Sequence, residues 1–239
     1  MTLHIGIVGC SAEGAALCYR TICAEGAALL GPHAHPEVSM HTPPLSDYVV
    51  HLERGNMQGV ADLMLASAEK LARIGADFLL TPDNTIHQAF DLVAKRSPLP
   101  WLHIAETVAD EAVARGFKKL ALTGTRWLTD SDVYPVALGK RGLDCVKPTV
   151  AERDEIMRVI MDDLVYGRFT EAGVKVFQRI IGRLKQEEGC DAVILGCTEI
   201  PLIIDDGNSP LPTLDSTRLL ARAALRRAVG SAKEKNSSL

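Results

Sequence analysis

The chain of 239 residues has few aromatic side chains, little net charge and no long apolar run. Aromatic residues make up 5% of the chain and hydrophobic residues 47%, so we expect a core that is mainly aliphatic. The net charge of −4 gives no electrostatic reason to expect nucleic acid or an anionic membrane as a partner. No apolar run approaches the roughly 20 residues that a membrane helix needs, so we expect no membrane span.

The six cysteines lack the spacings of a metal centre, since no Cys-x-x-Cys or zinc-type pattern occurs. The opening segment, residues 1–4, leads straight into a strand pattern without the basic region of a signal peptide. We therefore expect no bound metal and a reducing, cytoplasmic location, where thiols persist without disulfides.

One stretch, residues 189–200, organises the rest of the chain. Its four apolar residues 192–195 run without alternation, which predicts a buried parallel strand. Gly196 ends that strand, and Cys197, Thr198 and Glu199 follow directly. In open α/β sheets the chemistry lies just beyond the carboxyl ends of the strands, so Cys197 is a candidate reactive thiol.

The same pattern occurs 114 residues earlier. The matched pairs are Gly75 and Gly189, Asp77 and Asp191, Asp83 and Cys197, and Thr85 and Glu199. Two further segments repeat in the same order: residues 5–9 resemble 120–124, and residues 99–102 resemble 211–214. Three ordered matches predict an internal duplication; the alternative is chance similarity between strands of one kind.

Strands alternate with amphipathic helices along the chain, which predicts a right-handed parallel α/β architecture. With the duplication, the fold class is two pseudo-symmetric parallel-sheet α/β subdomains, with the active site expected in the cleft between them. We assign residues 1–103 with 215–239 to an N-terminal subdomain closed by the C-terminal helix, and residues 104–214 to the second. The polar tail 230–239 is expected to be disordered beyond a helix over residues 216–229.

Acid/base residues at equivalent places in two similar halves suit the removal of a proton from one face of a carbon and its return to the other face, which is racemisation. The carbanion needs donors around the adjacent carboxylate. Cys197 is one candidate base. Asp83 has three interpretations: the opposing base, a binder of a substrate ammonium group, or a helix cap.

Three segments resemble the cofactor-independent aspartate/glutamate racemases: the opening strand 5–9, the segment 82–87 and the segment 196–200. The resemblance covers roughly residues 3–229. It implies two α/β subdomains, a homodimer, a small-molecule carboxylate or amino-acid substrate, and no pyridoxal phosphate or metal. The wider superfamily also contains hydantoin racemases, maleate isomerases and arylmalonate decarboxylases.

Carried over residue by residue, the resemblance makes Cys197 the second of two catalytic cysteines, and Asp83 stands where the first would be. Asn84 and Thr85 match residues that hold the substrate α-carboxylate. The resemblance adds three expected substrate contacts: Ser11, Thr125 and Thr198. Two further residues are expected to support the site: His87 as an orienting hydrogen-bond partner, and Glu199 as a cap of the following turn or a support of the cleft.

The chain also departs from the family pattern. The arginine that the family brings to a distal carboxylate is absent, because residues 45–48 read Leu-Ser-Asp-Tyr; Val165 and Tyr166 replace a lysine, and Arg126 is a candidate substitute. The leading hypothesis is a racemase of an acidic or related amino acid. The alternatives are a single-cysteine decarboxylase or isomerase of a dicarboxylate, as in arylmalonate decarboxylase, and a non-catalytic ligand-binding relative.

Overall fold

The structure, a computed structural model, describes residues 2–236, with side chains for residues 2–230. The chain forms two compact units. Unit 1 runs to Ile104 and resumes at Thr217, and unit 2 comprises Ala105–Ser216. The boundaries predicted from the sequence, after residues 103 and 214, lie one and two residues away from these.

Unit 1 holds a parallel sheet of four strands in the order β2-β1-β3-β4. The strands are β1 (Ile5–Val8), β2 (Val38–His41), β3 (Phe78–Leu80) and β4 (Trp101–Leu102). The helices that connect them are α1 (Ala12–Leu30), α2 (Leu45–Glu53), α3 (Met57–Arg73) and, after a 3₁₀ turn at Thr85–Ala89, α4 (Phe90–Ala94). Helix α10 (Ser216–Asn236) returns to this unit at the end of the chain.

Unit 2 repeats this plan with a parallel sheet in the order β6-β5-β7-β8. The strands are β5 (Lys119–Thr123), β6 (Asp144–Val146), β7 (Ala192–Leu195) and β8 (Thr213–Asp215). The α-helices are α5 (Ile104–Ala114), α6 (Arg126–Thr129), α7 (Val133–Gly139), α8 (Val150–Arg158) and α9 (Glu171–Gln186). A π-helical turn at Val159–Asp163 and 3₁₀ turns at Leu164–Tyr166 and Ile200–Leu202 complete it.

The two sheets share their register as well as their order. Ile5 pairs with Phe78 in unit 1, and Leu120 pairs with Ala192 in unit 2, which are the equivalent positions of the predicted repeat. The next strand pair agrees too, since Leu79 pairs with Trp101 and Val193 with Thr213. A one-residue slip would turn the core-facing side chains outward, so matching register is a demanding test of the repeat. The predicted internal duplication is confirmed at this level.

The repeated Gly-x-Asp pattern has the same structural role in both units. Gly75 and Gly189 have φ values of 91° and 69°, a conformation that favours glycine. Two residues later, the Asp77 carboxylate accepts the backbone N–H of His4 at 2.7 Å. Its counterpart Asp191 accepts the backbone N–H of Lys118 at 2.7 Å. Each aspartate thus ties the start of one central strand to the start of its neighbour.

Each sheet buries its apolar residues against its own helices. In unit 1, α1 and α10 cover one face of the sheet through an aliphatic cluster: Ile5, Ile7, Cys18, Ile22, Phe78, Leu80, Leu220, Ala224 and Ala228. In unit 2, α8 and α9 cover the sheet through a similar cluster: Ala121, Ile156, Phe177, Ile180, Leu184, Val193 and Leu195. The expected aliphatic core is therefore present in both units.

The predicted fold class of two parallel-sheet α/β subdomains is confirmed, while one helix was not predicted and one local prediction is wrong. Helix α2 was not predicted, although its two buried residues, Tyr48 and Leu52, lie one helical turn apart. The tail prediction is wrong for residues 230–236, which extend α10, and residues 237–239 lie outside the described part. Within the described residues, no helix combines the length and apolar character needed to cross a bilayer.

Candidate functional site

The carboxyl ends of β5 and β7 approach each other so closely that only glycine fits there. A Cβ on Gly196 would lie 2.6 Å from the Thr123 carbonyl oxygen, and one on Gly124 would lie 2.9 Å from the Gly196 carbonyl oxygen. The Gly196 N–H donates to the Thr123 carbonyl at 2.9 Å. This contact fixes the backbone at the point from which the next residue, Cys197, projects.

Cys197 follows that glycine, and its thiol donates a hydrogen bond to Glu199. The distance from Cys197 Sγ to Glu199 Oε2 is 2.9 Å, and Thr198 Oγ1 donates to the same oxygen at 2.7 Å. The Cys197 side chain is 9% exposed and Glu199 is 5% exposed. A single buried carboxylate oxygen therefore holds both the thiol and the neighbouring hydroxyl.

Thr125 and Ser11 occupy equivalent places after the first strands of the two units. Ser11 caps α1 by accepting the Gly14 N–H at 3.3 Å, and Thr125 caps α6 by accepting the Leu128 N–H at 3.3 Å. Both hydroxyls therefore serve as N-caps at the carboxyl edge of their sheet. The predicted substrate contacts of Ser11 and Thr125 remain predictions beside this capping role.

Asp83 stands in unit 1 where Cys197 stands in unit 2, and one of its oxygens caps the 3₁₀ turn after β3. Asp83 Oδ1 accepts the backbone N–H of Thr85 at 2.9 Å and that of Ile86 at 3.1 Å. The helix-cap interpretation therefore describes what Oδ1 does. Proton transfer or ammonium binding by this carboxyl group remains a prediction.

His87 is buried, and both of its ring nitrogens form hydrogen bonds with the backbone, one of them to the start of this turn. Its Nε2 accepts the Ile104 N–H at 3.1 Å, so the proton lies on Nδ1, which donates to the Asp83 carbonyl at 2.8 Å. Burial, followed by the neighbouring His103, holds the pKa of His87 well below its usual 6.5. The imidazole is therefore neutral with both nitrogens engaged, which suits an orienting role and not that of a base.

Asn84 and Thr85, the predicted holders of the α-carboxylate, lie between Asp83 and His87 and are both buried. Strands β1 and β3 are neighbours in the sheet, so the loop with Ser11 and the turn with Asp83 share one edge. In unit 2, Thr125 and Cys197 share the corresponding edge, because β5 pairs with β7. Each half of the predicted site is thus assembled within its own unit.

Tyr48 lies at the carboxyl edge of unit 1, and no role is predicted for it from the sequence. It lies in the first turn of α2 and is fully buried. Burial raises the pKa of Tyr48, and the Cys10 thiol and Asp83 carboxyl add to the rise, since either would place negative charge near the phenolate. The spacing of Tyr48 and Leu52 was the available sequence signal for its burial.

Arg126, the candidate substitute for the missing family arginine, forms ion pairs with two aspartates. The Arg126 guanidinium pairs with Asp154 at 2.9 Å and with Asp130 at 3.4 Å, and it is about half exposed. Arg126 is therefore held by carboxylates of its own unit.

Within the part of the chain that the structure describes, no three His, Cys, Asp or Glu side chains converge as a metal site would require.

Comparison with known proteins identifies the family. The family model for Asp/Glu/hydantoin racemase matches residues 5–224. The chain belongs to the Asp/Glu/hydantoin racemase family. The resemblance drawn from three short segments is therefore confirmed, and the chain is of the racemase class within the isomerases.

Similar proteins differ in how much of this chain they cover. A proposed Asp/Glu racemase from Yersinia pestis is 28% identical, has a TM-score of 0.87, and covers 95% of this chain and 99% of its own. PH1733, an aspartate racemase homologue from Pyrococcus horikoshii OT3, is also 28% identical, with a TM-score of 0.83 and the same coverages. The broad specificity amino-acid racemase RacX of Bacillus subtilis is 23% identical over 162 residues, 68% of this chain and 69% of RacX.

Proposed function

We propose that this racemase-family chain interconverts the enantiomers of an acidic or related amino acid without pyridoxal phosphate. The observation that supports this most directly is the Cys197 thiol, buried at the carboxyl end of a central strand and hydrogen-bonded to Glu199. The chain's own side chains supply the proton carriers: Cys197 from unit 2 and Asp83 from unit 1.

In the proposed reaction, the existing hydrogen bond carries the Cys197 proton to Glu199, which leaves a thiolate. The thiolate removes the α-proton from one face of the substrate, and the electron pair of the broken C–H bond moves into the α-carboxylate. A protonated Asp83 then returns a proton to the opposite face. Glu199 keeps the proton that it received, so a thiolate and a protonated Asp83 become a thiol and an Asp83 carboxylate in each forward turnover. In the reverse direction Asp83 removes the proton and Cys197 returns it, which restores the first state.

The surrounding donors have a defined task in this scheme. Negative charge develops on the substrate carboxylate as the α-proton leaves, and fixed donors stabilise it best where water is excluded. Asn84 and Thr85 of unit 1 and Thr198 of unit 2 are buried polar residues beside the two proposed proton carriers. We propose that they hold the substrate carboxylate.

We further propose a homodimer that acts on small molecules in the reducing cytoplasm. All six cysteines, each within the described residues, are thiols and form no disulfide, which agrees with a reducing setting. Light scattering after size exclusion would measure the mass of the assembly. Twice the chain mass of 25.8 kDa supports the dimer, and the single-chain mass contradicts it.

The test of the proposed function is α-proton exchange in D₂O, followed by proton NMR. The substrates are the L- and D-enantiomers of aspartate and glutamate, each with and without aminooxyacetate, which captures pyridoxal phosphate. We expect exchange with inversion from both enantiomers of at least one amino acid, unchanged by aminooxyacetate. An absence of exchange from all four substrates contradicts the proposal, and inhibition by aminooxyacetate contradicts its cofactor independence.

A further inference from the structure

The topology of the chain places Tyr48 at the carboxyl edge of the unit 1 sheet. Helix α2 follows β2, which pairs with β1, and Tyr48 lies in the first turn of that helix. The carboxyl ends of parallel strands lie along one edge, so this first turn lies close to the loops that follow β1 and β3. Those loops contain Cys10 and Asp83.

The hydroxyl of Tyr48 is unusual among buried tyrosine hydroxyls. Its side chain is 0% exposed, yet the Oη atom has no hydrogen-bond partner in the part of the chain that the structure describes. Tyr134 in unit 2 is equally buried, and its hydroxyl bonds to Ser216. Buried tyrosine hydroxyls are usually paired, and one without a partner lowers the stability of the folded chain.

The titratable groups that affect this hydroxyl belong to the carboxyl edge of the unit 1 sheet. The groups that oppose its ionisation after burial itself are Cys10 and Asp83, both at the carboxyl edge of the unit 1 sheet. Tyr48 therefore lies near Asp83, a proposed proton carrier, and its hydroxyl stays protonated because burial raises the pKa of the phenol. A protonated phenol donates one hydrogen bond to an oxygen and carries no charge.

We propose that Tyr48 is a substrate-binding residue whose hydroxyl donates a hydrogen bond to an oxygen atom of the amino-acid substrate. This inference rests on the proposed function. Since the donor is neutral, the accepting oxygen need not be charged, and an amide oxygen can replace a carboxylate oxygen. Binding of the substrate would give the buried hydroxyl the partner that the protein alone does not provide.

The test is the Tyr48→Phe variant, which removes one oxygen atom and keeps the ring. We expect KM to rise about tenfold for the substrate that the wild-type protein exchanges, with kcat changed less than about threefold, as for a lost hydrogen bond. The melting temperature of the ligand-free variant should equal or exceed that of the wild type, because an unpaired buried hydroxyl is removed. A purely structural tyrosine would not produce this combination.

Tyr134→Phe is the matched control, since it removes an equally buried but paired hydroxyl. We expect it to lower the melting temperature and leave KM unchanged. A wild-type KM in Tyr48→Phe overturns the inference and leaves the proposed function standing; this is the result if water satisfies the hydroxyl. A wild-type protein that exchanges no amino-acid α-proton overturns the proposed function and this inference together.

Discussion

The ends of β3 and β7 are equivalent positions in the two units, yet their side chains are held in different ways. In unit 1, Asp83 is fixed by the backbone, since its Oδ1 accepts two N–H groups of the turn that it caps. In unit 2, Cys197 is fixed by a side chain, since its thiol donates to the Glu199 carboxylate. One position thus carries a hydrogen-bond acceptor and the other a donor.

This difference shows what the duplicated scaffold determines. Strand order, register, the Gly-x-Asp connection and the hydroxyl caps at Ser11 and Thr125 are the same in both units. The residue just beyond the second central strand, Asp83 after β3 and Cys197 after β7, is not the same. The scaffold therefore sets where a reactive group stands, and the local turn sets its chemistry. In the proposed racemisation the two proton carriers are therefore unlike, a carboxyl group and a thiol.

The largest effect on α-proton exchange should come from removing the Cys197 thiol. Cys197→Ala removes the proposed base of unit 2, so for the enantiomer whose α-proton Cys197 removes we expect exchange to fall by about 10³-fold or more, in the range of general acid/base contributions. Proton NMR in D₂O measures it. Cys190→Ala is the control, because Cys190 is also a buried thiol of unit 2 but precedes β7 at the opposite edge. Exchange by Cys197→Ala at the rate of Cys190→Ala would contradict a catalytic role for Cys197.

A smaller effect should follow when the acceptor of the thiol is altered. Glu199→Gln keeps the side-chain shape but removes the carboxylate that accepts from Cys197 and Thr198. Loss of a hydrogen bond to a charged group corresponds to about 10- to 100-fold in rate, and we expect exchange to fall by that factor. Glu187→Gln, on an exposed glutamate of the same unit, is the control. Equal rates in the two variants would show that Glu199 has no part in proton transfer.

The smallest effect concerns the histidine that supports Asp83, and it appears as a pH dependence of stability. The pKa of buried His87 lies below its usual 6.5, so the unfolded chain binds a proton first as pH falls. Stability contributed by His87 is therefore present above pH 6.5 and is lost on acidification, by up to about 1.4 kcal/mol per pH unit.

The variant His87→Gln isolates this contribution, since glutamine can make both hydrogen bonds but does not titrate. Urea unfolding at pH 7 and pH 5 measures the free energy of unfolding. We expect it to decrease less on acidification in His87→Gln than in the wild type, whereas replacing the exposed His33 by Asn should leave the wild-type dependence. Identical pH dependence in all three proteins would contradict a neutral His87.

Much of the fold could be predicted from the sequence because its signals are local. The apolar runs at 78–80 and 192–195 coincide with β3 and β7, and the Ser11 cap marks the start of α1. Helix α2 was missed because it has only two buried residues, and the tail because a polar composition does not prevent a helix from continuing.

Only the positions of the candidate site residues could be predicted from the sequence. The repeat and the family motifs point to Asp83 and Cys197 as candidates, but the bond from Cys197 to Glu199, two residues away, depends on the backbone path of the turn after Gly196. The burial of Tyr48 depends on the tertiary packing of α2 against α3, for which the spacing of Tyr48 and Leu52 is only a partial signal. The sequence alone therefore did not define either feature.

The central claim, that Asp83 and Cys197 are two unlike proton carriers, is tested most directly by the stereochemistry of Asp83→Asn. Asparagine keeps an oxygen that can cap the turn, so the fold should be retained, but it cannot carry the proton. We predict that, in D₂O, this variant incorporates deuterium into one enantiomer of the substrate with retention and forms the other at least about 100-fold more slowly. Inversion at the wild-type rate would reduce Asp83 to a helix cap and contradict the account.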